Sequence, residues 1–115
     1  MIPIDELYDR GVSYKNEGNY EAAAAEFQAI LALDPTHAPA HRQLGLVYGF
    51  MGMFDESIDE LMAAVEIDSC DVGTRNDLAL TYAMLGMVDE AKTHFLVVLT
   101  ADPENPVAKK NLAYF

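Results

Sequence analysis

The stretch Arg10-Gly11-Val12-Ser13-Tyr14-Lys15-Asn16-Glu17-Gly18-Asn19-Tyr20 decides the fold, because its pattern returns twice at a spacing of 34 residues. The small residue Gly11 recurs as Gly45 and Ala79, and again as Ala113. A tyrosine follows three positions later in each full copy: Tyr14, Tyr48, Tyr82. Four further on stands a glycine: Gly18, Gly52, Gly86. Further slots agree in order: Tyr20, Phe54, Val88; then Ala23, Ser57, Ala91; then Phe27, Leu61, Phe95; then Asp34, Asp68, Asp102. A fixed period of this length marks an array of supersecondary units, each unable to bury its apolar face alone.

Each unit reads as two helices. Leu44, Tyr48 and Met51, or Leu78, Tyr82 and Leu85, recur at helical spacing. The repeated glycine ends the first helix, since glycine enters the left-handed region without a Cβ penalty. Acids near the start of the second helix (Asp55-Glu56, Asp89-Glu90) suit the positive end of a helix dipole. Asp34-Pro35 and its counterparts close the unit. Small slots let the helices approach, and the aromatic slots fill the space between them.

Period and slot order together resemble the tetratricopeptide repeat family. The resemblance covers residues 4–37, 38–71 and 72–105, with 106–115 opening a fourth unit at Asn105-Pro106. It implies an all-α fold, a right-handed superhelical solenoid of antiparallel helix pairs. Residues 106–115 are expected to be either a capping helix or the start of a truncated fourth repeat. Two slots depart from the family pattern. Leu7, His41 and Arg75 stand where the family has tryptophan. Arg10 stands in the leucine slot, which suits the polar outer face of a terminal repeat.

Composition bounds the function. The 115 residues are 51 % apolar and 23 % charged, with a net charge of -12. Such a balance argues against nucleic-acid binding and against docking on an anionic membrane. No apolar run approaches the ~18 residues of a membrane span. The single cysteine, Cys70, makes no internal disulfide. With no signal-peptide pattern at the N-terminus, the cytoplasm is the expected compartment.

No residue set asks for catalysis. Cys70 lies among carboxylates, which disfavour a thiolate. His37, His41 and Asp34 are close enough in sequence to consider a metal ion, but His37 at a helix start reads more simply as a cap. The expectation is no enzyme, no metal and no cofactor.

The resemblance implies a concave groove lined by the first helices, where a peptide or partner helix binds. By slot, its candidate residues are Tyr8, Val12 and Lys15; Arg42, Gln43, Leu46, Gly49 and Phe50; and Asn76, Leu80, Ala83 and Met84. Val12, Leu46 and Leu80 share one slot and should form an apolar stripe, with Gly49 leaving a pocket at its centre. One branch of the family clamps the C-terminal carboxylate of chaperones with cationic and amide residues. Those slots hold Tyr8, Val12, Gln43, Gly73 and Asp77 here, so that mode is not expected. The expected role is a scaffold or adaptor holding a protein partner by apolar anchors. The alternatives are a homo-oligomer stacking through the C-terminal end at Tyr114-Phe115, or a secretion-type chaperone. First helices carry five acids and six bases, so the acidity belongs mainly to second helices and turns. That acidity reads as a solubilising convex face.

Overall fold

A computed structural model describes residues 2–115 and contains seven helices among them. They are α1 (Ile4–Asn16), α2 (Tyr20–Leu33), α3 (Ala38–Phe50), α4 (Phe54–Ile67), α5 (Val72–Met84), α6 (Val88–Ala101) and α7 (Pro106–Leu112). Each helix packs on its successor, and α3 also touches α1 and α5, so α1, α3 and α5 line one side of an elongated body of 46 × 26 × 20 Å. No helix among the described residues is long and apolar enough to cross a membrane.

The Tyr-to-Gly spacing has a geometric cause. Gly18, Gly52 and Gly86 have φ of 81°, 77° and 76°, and no other described residue has positive φ. After each, the backbone N–H of Asn19, Met53 or Met87 donates to the carbonyl of Tyr14, Tyr48 or Tyr82 at 2.8–2.9 Å. The glycine N–H donates one residue further along, to the carbonyl of Lys15, Gly49 or Ala83. This is a Schellman turn, which satisfies the last carbonyls of a helix and reverses the chain within a few residues.

The turn between repeats is built differently. Asp34 and Asp68 accept backbone N–H bonds from Thr36 and Cys70, and Asp102 accepts from the Asn105 amide. Aspartate in such a slot offers the chain a local turn in place of another helical residue. A side-chain cap then starts the next first helix. The His37 Nδ1 accepts from Ala40 N–H at 3.1 Å, Asp71 from Gly73 and Thr74, and Asn105 from Ala108 at 3.1 Å. His37 is therefore a cap, and Cys70 an exposed turn residue.

Within each pair, a small slot faces a large one. A Cβ on Gly11 would fall 2.7 Å from the Phe27 ring, and one on Gly45 would fall 2.8 Å from Leu61 Cγ. Ala79 lies in one core cluster with Phe95. Phe27, Leu61 and Phe95 are wholly buried. Ser57 adds a buried bond, donating to the Gly45 carbonyl at 2.7 Å. Cores run across repeat boundaries: Ala40, Leu44 and Val47 of α3 complete the cluster of Leu7, Phe27 and Ile30. Ala108 of α7 does the same for Phe95 and Val98.

Arg10, read from sequence as a polar end residue, donates to Glu26 of α2 at 3.0 Å. His94 stacks on Tyr82 at 5.6 Å and meets Arg75 at 3.1 Å. His41 and Glu60, one repeat earlier, occupy the same two slots and pair at 2.7 Å. The family's tryptophan slot thus serves here as a polar bridge from α3 to α4 and from α5 to α6.

Two glycines in α3 make opposite demands, and alanine separates them. Gly45→Ala forces its Cβ against Leu61 and lies 3.1 Å from the Ser57 carbonyl. It should lower stability by about 1–3 kcal/mol. At Gly49 the nearest atom is Ser57 Oγ at 3.5 Å, an ordinary contact. Gly49→Ala should therefore raise stability by roughly 0.5–1 kcal/mol through helix propensity. Thermal melts followed by circular dichroism check both; a Gly45→Ala melting point at or above that of the parent contradicts the packing argument.

Candidate functional site on the concave face

The exposed side of α1, α3 and α5 divides into a polar half and an apolar half. The polar half joins the middle of α3 to α1 on one side, where it reaches Lys15 in the last turn, and to α5 on the other. Gln43 of α3 donates from Nε2 to the Tyr8 hydroxyl at 3.1 Å and accepts from Lys15 Nζ at 2.7 Å. It therefore ties α3 to α1 at two points. Tyr8 also lies edge-on to Phe27, with centroids 5.8 Å apart. Arg42 performs the equivalent task toward α5, its Nε donating to Asp77 Oδ2 at 2.7 Å. Its guanidinium lies over Gly73, 3.1 Å from where a Cβ would be.

Electrostatics follow from this crowding. Burial pushes the Asp77 carboxyl above its ordinary value, only partly offset by the hydrogen bond and charge of Arg42. Burial also raises Asp71, but hydrogen bonds from Thr74 and Gly73 and the charge of Arg42 outweigh it, and the net shift is downward. Lys15 is lowered by burial and by Arg42, against the pull of Asp77. The cations on this face are thus engaged with groups of the protein itself.

The apolar half is a cleft between α3, α4 and α5 of about 170 Å³. Leu46, Phe50, Phe54, Leu80 and Met84 form its walls, and Gly45 and Gly49 complete the lining on α3. Phe50 and Met84 at the rim are 61 % and 67 % exposed. Phe50 also stacks on Tyr20 of α2, centroids 5.3 Å apart. Asp77, Thr81 and Ser57 supply the polar part of the lining.

The structure thus brings Leu46, Gly49, Phe50, Leu80 and Met84 into one cleft. It places Val12 apart from them, half-buried against the first core cluster. Ala83 packs toward the Ala79–Phe95 cluster. Asn76 is a correction to the sequence expectation. It is buried, and its Nδ2 donates to Asn105 Oδ1 at 3.0 Å, because the residue that caps α7 lies against α5. Its Oδ1 has no hydrogen-bond partner among the described residues. Phe54 was missed; it belongs to a second helix, but the short Schellman turn swings it back beside Phe50.

Family models for the tetratricopeptide repeat match residues 4–37 and 38–69. The chain belongs to the tetratricopeptide repeat family. A search of curated proteins gives no significant match. Among solved structures, the first tetratricopeptide domain of Spaghetti (RPAP3), bound to the HSP90 peptide SRMEEVD, is 20 % identical with a TM-score of 0.91. That match covers 96 % of this chain and 88 % of the other. The second such domain of human RPAP3, in complex with an HSP70 peptide, is 23 % identical with a TM-score of 0.87, covering 97 % of both chains. The Yersinia enterocolitica type III secretion translocator chaperone SycD, described as an alternative dimer, is 22 % identical with a TM-score of 0.83, covering 96 % and 84 %. These likenesses show the tetratricopeptide fold, and no more, for the present chain.

The raised pKa of Asp77 carries a sign that can be measured. Its proton is held more tightly in the folded than in the unfolded state. The stability it contributes is present at low pH and is lost as pH rises through the folded pKa. An Asp77→Asn variant mimics the protonated form and should gain on the parent between pH 3 and 7. Urea melts across that range test this; a parent that gains on the variant with rising pH would show Arg42 outweighing burial.

Proposed function

We propose that this chain is an interaction module that holds a segment of a partner protein in the α3–α4–α5 cleft by apolar anchors. The carrying observation is the cleft itself, a cavity of about 170 Å³ walled by Leu46, Phe50, Phe54, Leu80 and Met84. That lining is matched to a large apolar side chain, whose burial contributes about 1.5–3 kcal/mol. Related folds are named in complex with peptides, which supports the general role. The chaperone-type carboxylate clamp is not part of this reading. At its slots, Gln43 bridges Tyr8 and Lys15, Asp77 holds Arg42, and Gly73 offers no side chain. No catalytic set supports an enzyme, and no group of potential metal ligands occurs among the described residues. Holding a secreted protein, as a chaperone does, would be one use of the same cleft. The cytoplasm remains the proposed compartment, on the single unpaired cysteine.

The test is selection from a display library of random peptides, followed by titration of the enriched peptides. Leu46→Glu puts a carboxylate into the cleft wall and should weaken them about tenfold to a hundredfold, the loss of one anchor. The thermal melt should change little, because Leu46 is only half-buried. Enriched peptides that bind both proteins equally would remove the cleft as the site.

A second reading is self-association through the face formed by α6 and α7. Leu96, Val97, Val107 and Tyr114 are exposed there, Tyr114 at 78 %. Sedimentation velocity over a wide concentration range should then show concentration-dependent growth that Tyr114→Ser reduces. A monomer throughout contradicts it.

A further inference from the structure

The turns that join first to second helices lie along one edge of the solenoid, and stacking brings the turns of the second and third repeats side by side. Phe50 and Met53 are exposed on one; Met84, Leu85, Met87 and Val88 are exposed on the other. Scattered exposed apolar residues need no explanation, but a contiguous patch does. Phe50 and Met84 line one cleft, so the patch is continuous with it. The turn does not require these residues. In the first repeat the same slots hold Asn16, Glu17 and Asn19, and the backbone geometry is unchanged. The fold therefore tolerates polar residues where the second and third repeats expose phenylalanine, leucine and methionine. Methionine suits a docking surface because its flexible, polarisable side chain adapts to its partner.

Carboxylates follow the patch residues within a few positions of the chain. Asp55 and Glu56 begin α4, Asp89 and Glu90 begin α6, and all four are exposed. None of them forms an ion pair among the described residues. We infer that this edge docks a basic amphipathic segment of a partner protein, its apolar face on Phe50, Met84 and Met87 and its lysines or arginines against the four carboxylates. The inference rests on the cleft reading above and adds the partner's chemistry to it. An apolar patch beside an acidic rim selects such a segment over an acidic one, since like charges facing each other across an interface oppose binding.

Three labelled amphipathic peptides of about 18 residues, with leucines at helical spacing and lysine, glutamine or glutamate elsewhere, serve as probes. Fluorescence anisotropy should show the lysine peptide binding about tenfold tighter than the glutamine peptide, and the glutamate peptide weakest. Added salt should weaken the lysine peptide and leave the glutamine peptide nearly unchanged. The combined Asp55→Asn, Glu56→Gln, Asp89→Asn, Glu90→Gln protein should lose that preference. The equally discharged Asp5→Asn, Glu6→Gln, Asp9→Asn, Glu66→Gln protein should keep it. Helical melts establish that both variants are folded, and the salt series on the parent needs no variant. Equal loss in the two variants would reduce the effect to net charge and overturn the inference. A glutamine peptide that binds as tightly as the lysine peptide, and is lost in Leu46→Glu, overturns the basic partner while leaving the cleft intact. Binding of none of the three overturns both.

Discussion

The close approach of two helices at a small residue is the constraint on which the rest of this molecule depends. Gly11 and Gly45 leave no room for a Cβ between their helix and the ring of Phe27 or the branch of Leu61. With the helices this near, the chain must reverse in very few residues, and the left-handed glycines Gly18, Gly52 and Gly86 make that reversal possible. The same reversal places the first residues of each second helix beside the last residues of the first. Phe54 therefore faces the concave cleft although it belongs to the outer layer. A packing requirement inside one repeat thus shapes the surface between repeats.

The periodic part of this arrangement was legible from residue identities. Helix pairs, glycine turns, Asp-Pro closures and the Asn105 cap follow from local chemistry that each repeat satisfies on its own. The cleft was partly legible, because Leu46, Leu80 and Gly49 belong to first-helix slots that must face one side. What escaped was whatever depends on pairing across helices. Asn76 has the slot of a groove residue, yet α7 buries it against Asn105. His94 finds Tyr82 and Arg75 only once α6 lies on α5. Phe54 was hidden because slot reasoning assigns second helices to the far side. Neither period nor composition carries that information, since it arises from which side chains meet once the helices lie against one another.

The polar bonds on the concave face also change how its charged residues are to be read. In sequence, Lys15 and Arg42 look like ligand-binding cations. In the structure each spans a helix-to-helix gap, Lys15 to Gln43 and Arg42 to Asp77. Where burial already raises the Asp77 pKa, the Arg42 pair is better understood as fixing the relation of α3 to α5 than as a large source of stability. Recruiting Arg42 to an anionic ligand would leave a partly buried carboxylate without its partner. The polar half is therefore costly to rearrange, and the apolar half is open as it stands.

This asymmetry bears on how charge is distributed in the whole molecule. From sequence, the excess of acids reads as a solubilising convex face, and for Glu66 that remains sufficient. Asp55, Glu56, Asp89 and Glu90 are different, because they begin the helices that follow the turns carrying Phe50, Met84 and Met87. Their first local effect is to complement the dipoles of α4 and α6. Two acids per helix start next to exposed methionines also create a surface whose apolar and electrostatic halves act on one ligand. The first repeat, with Asn16, Glu17 and Asn19 at the turn, keeps the fold without that surface. The difference between repeats that share a backbone is where a function specific to this chain has room to be written.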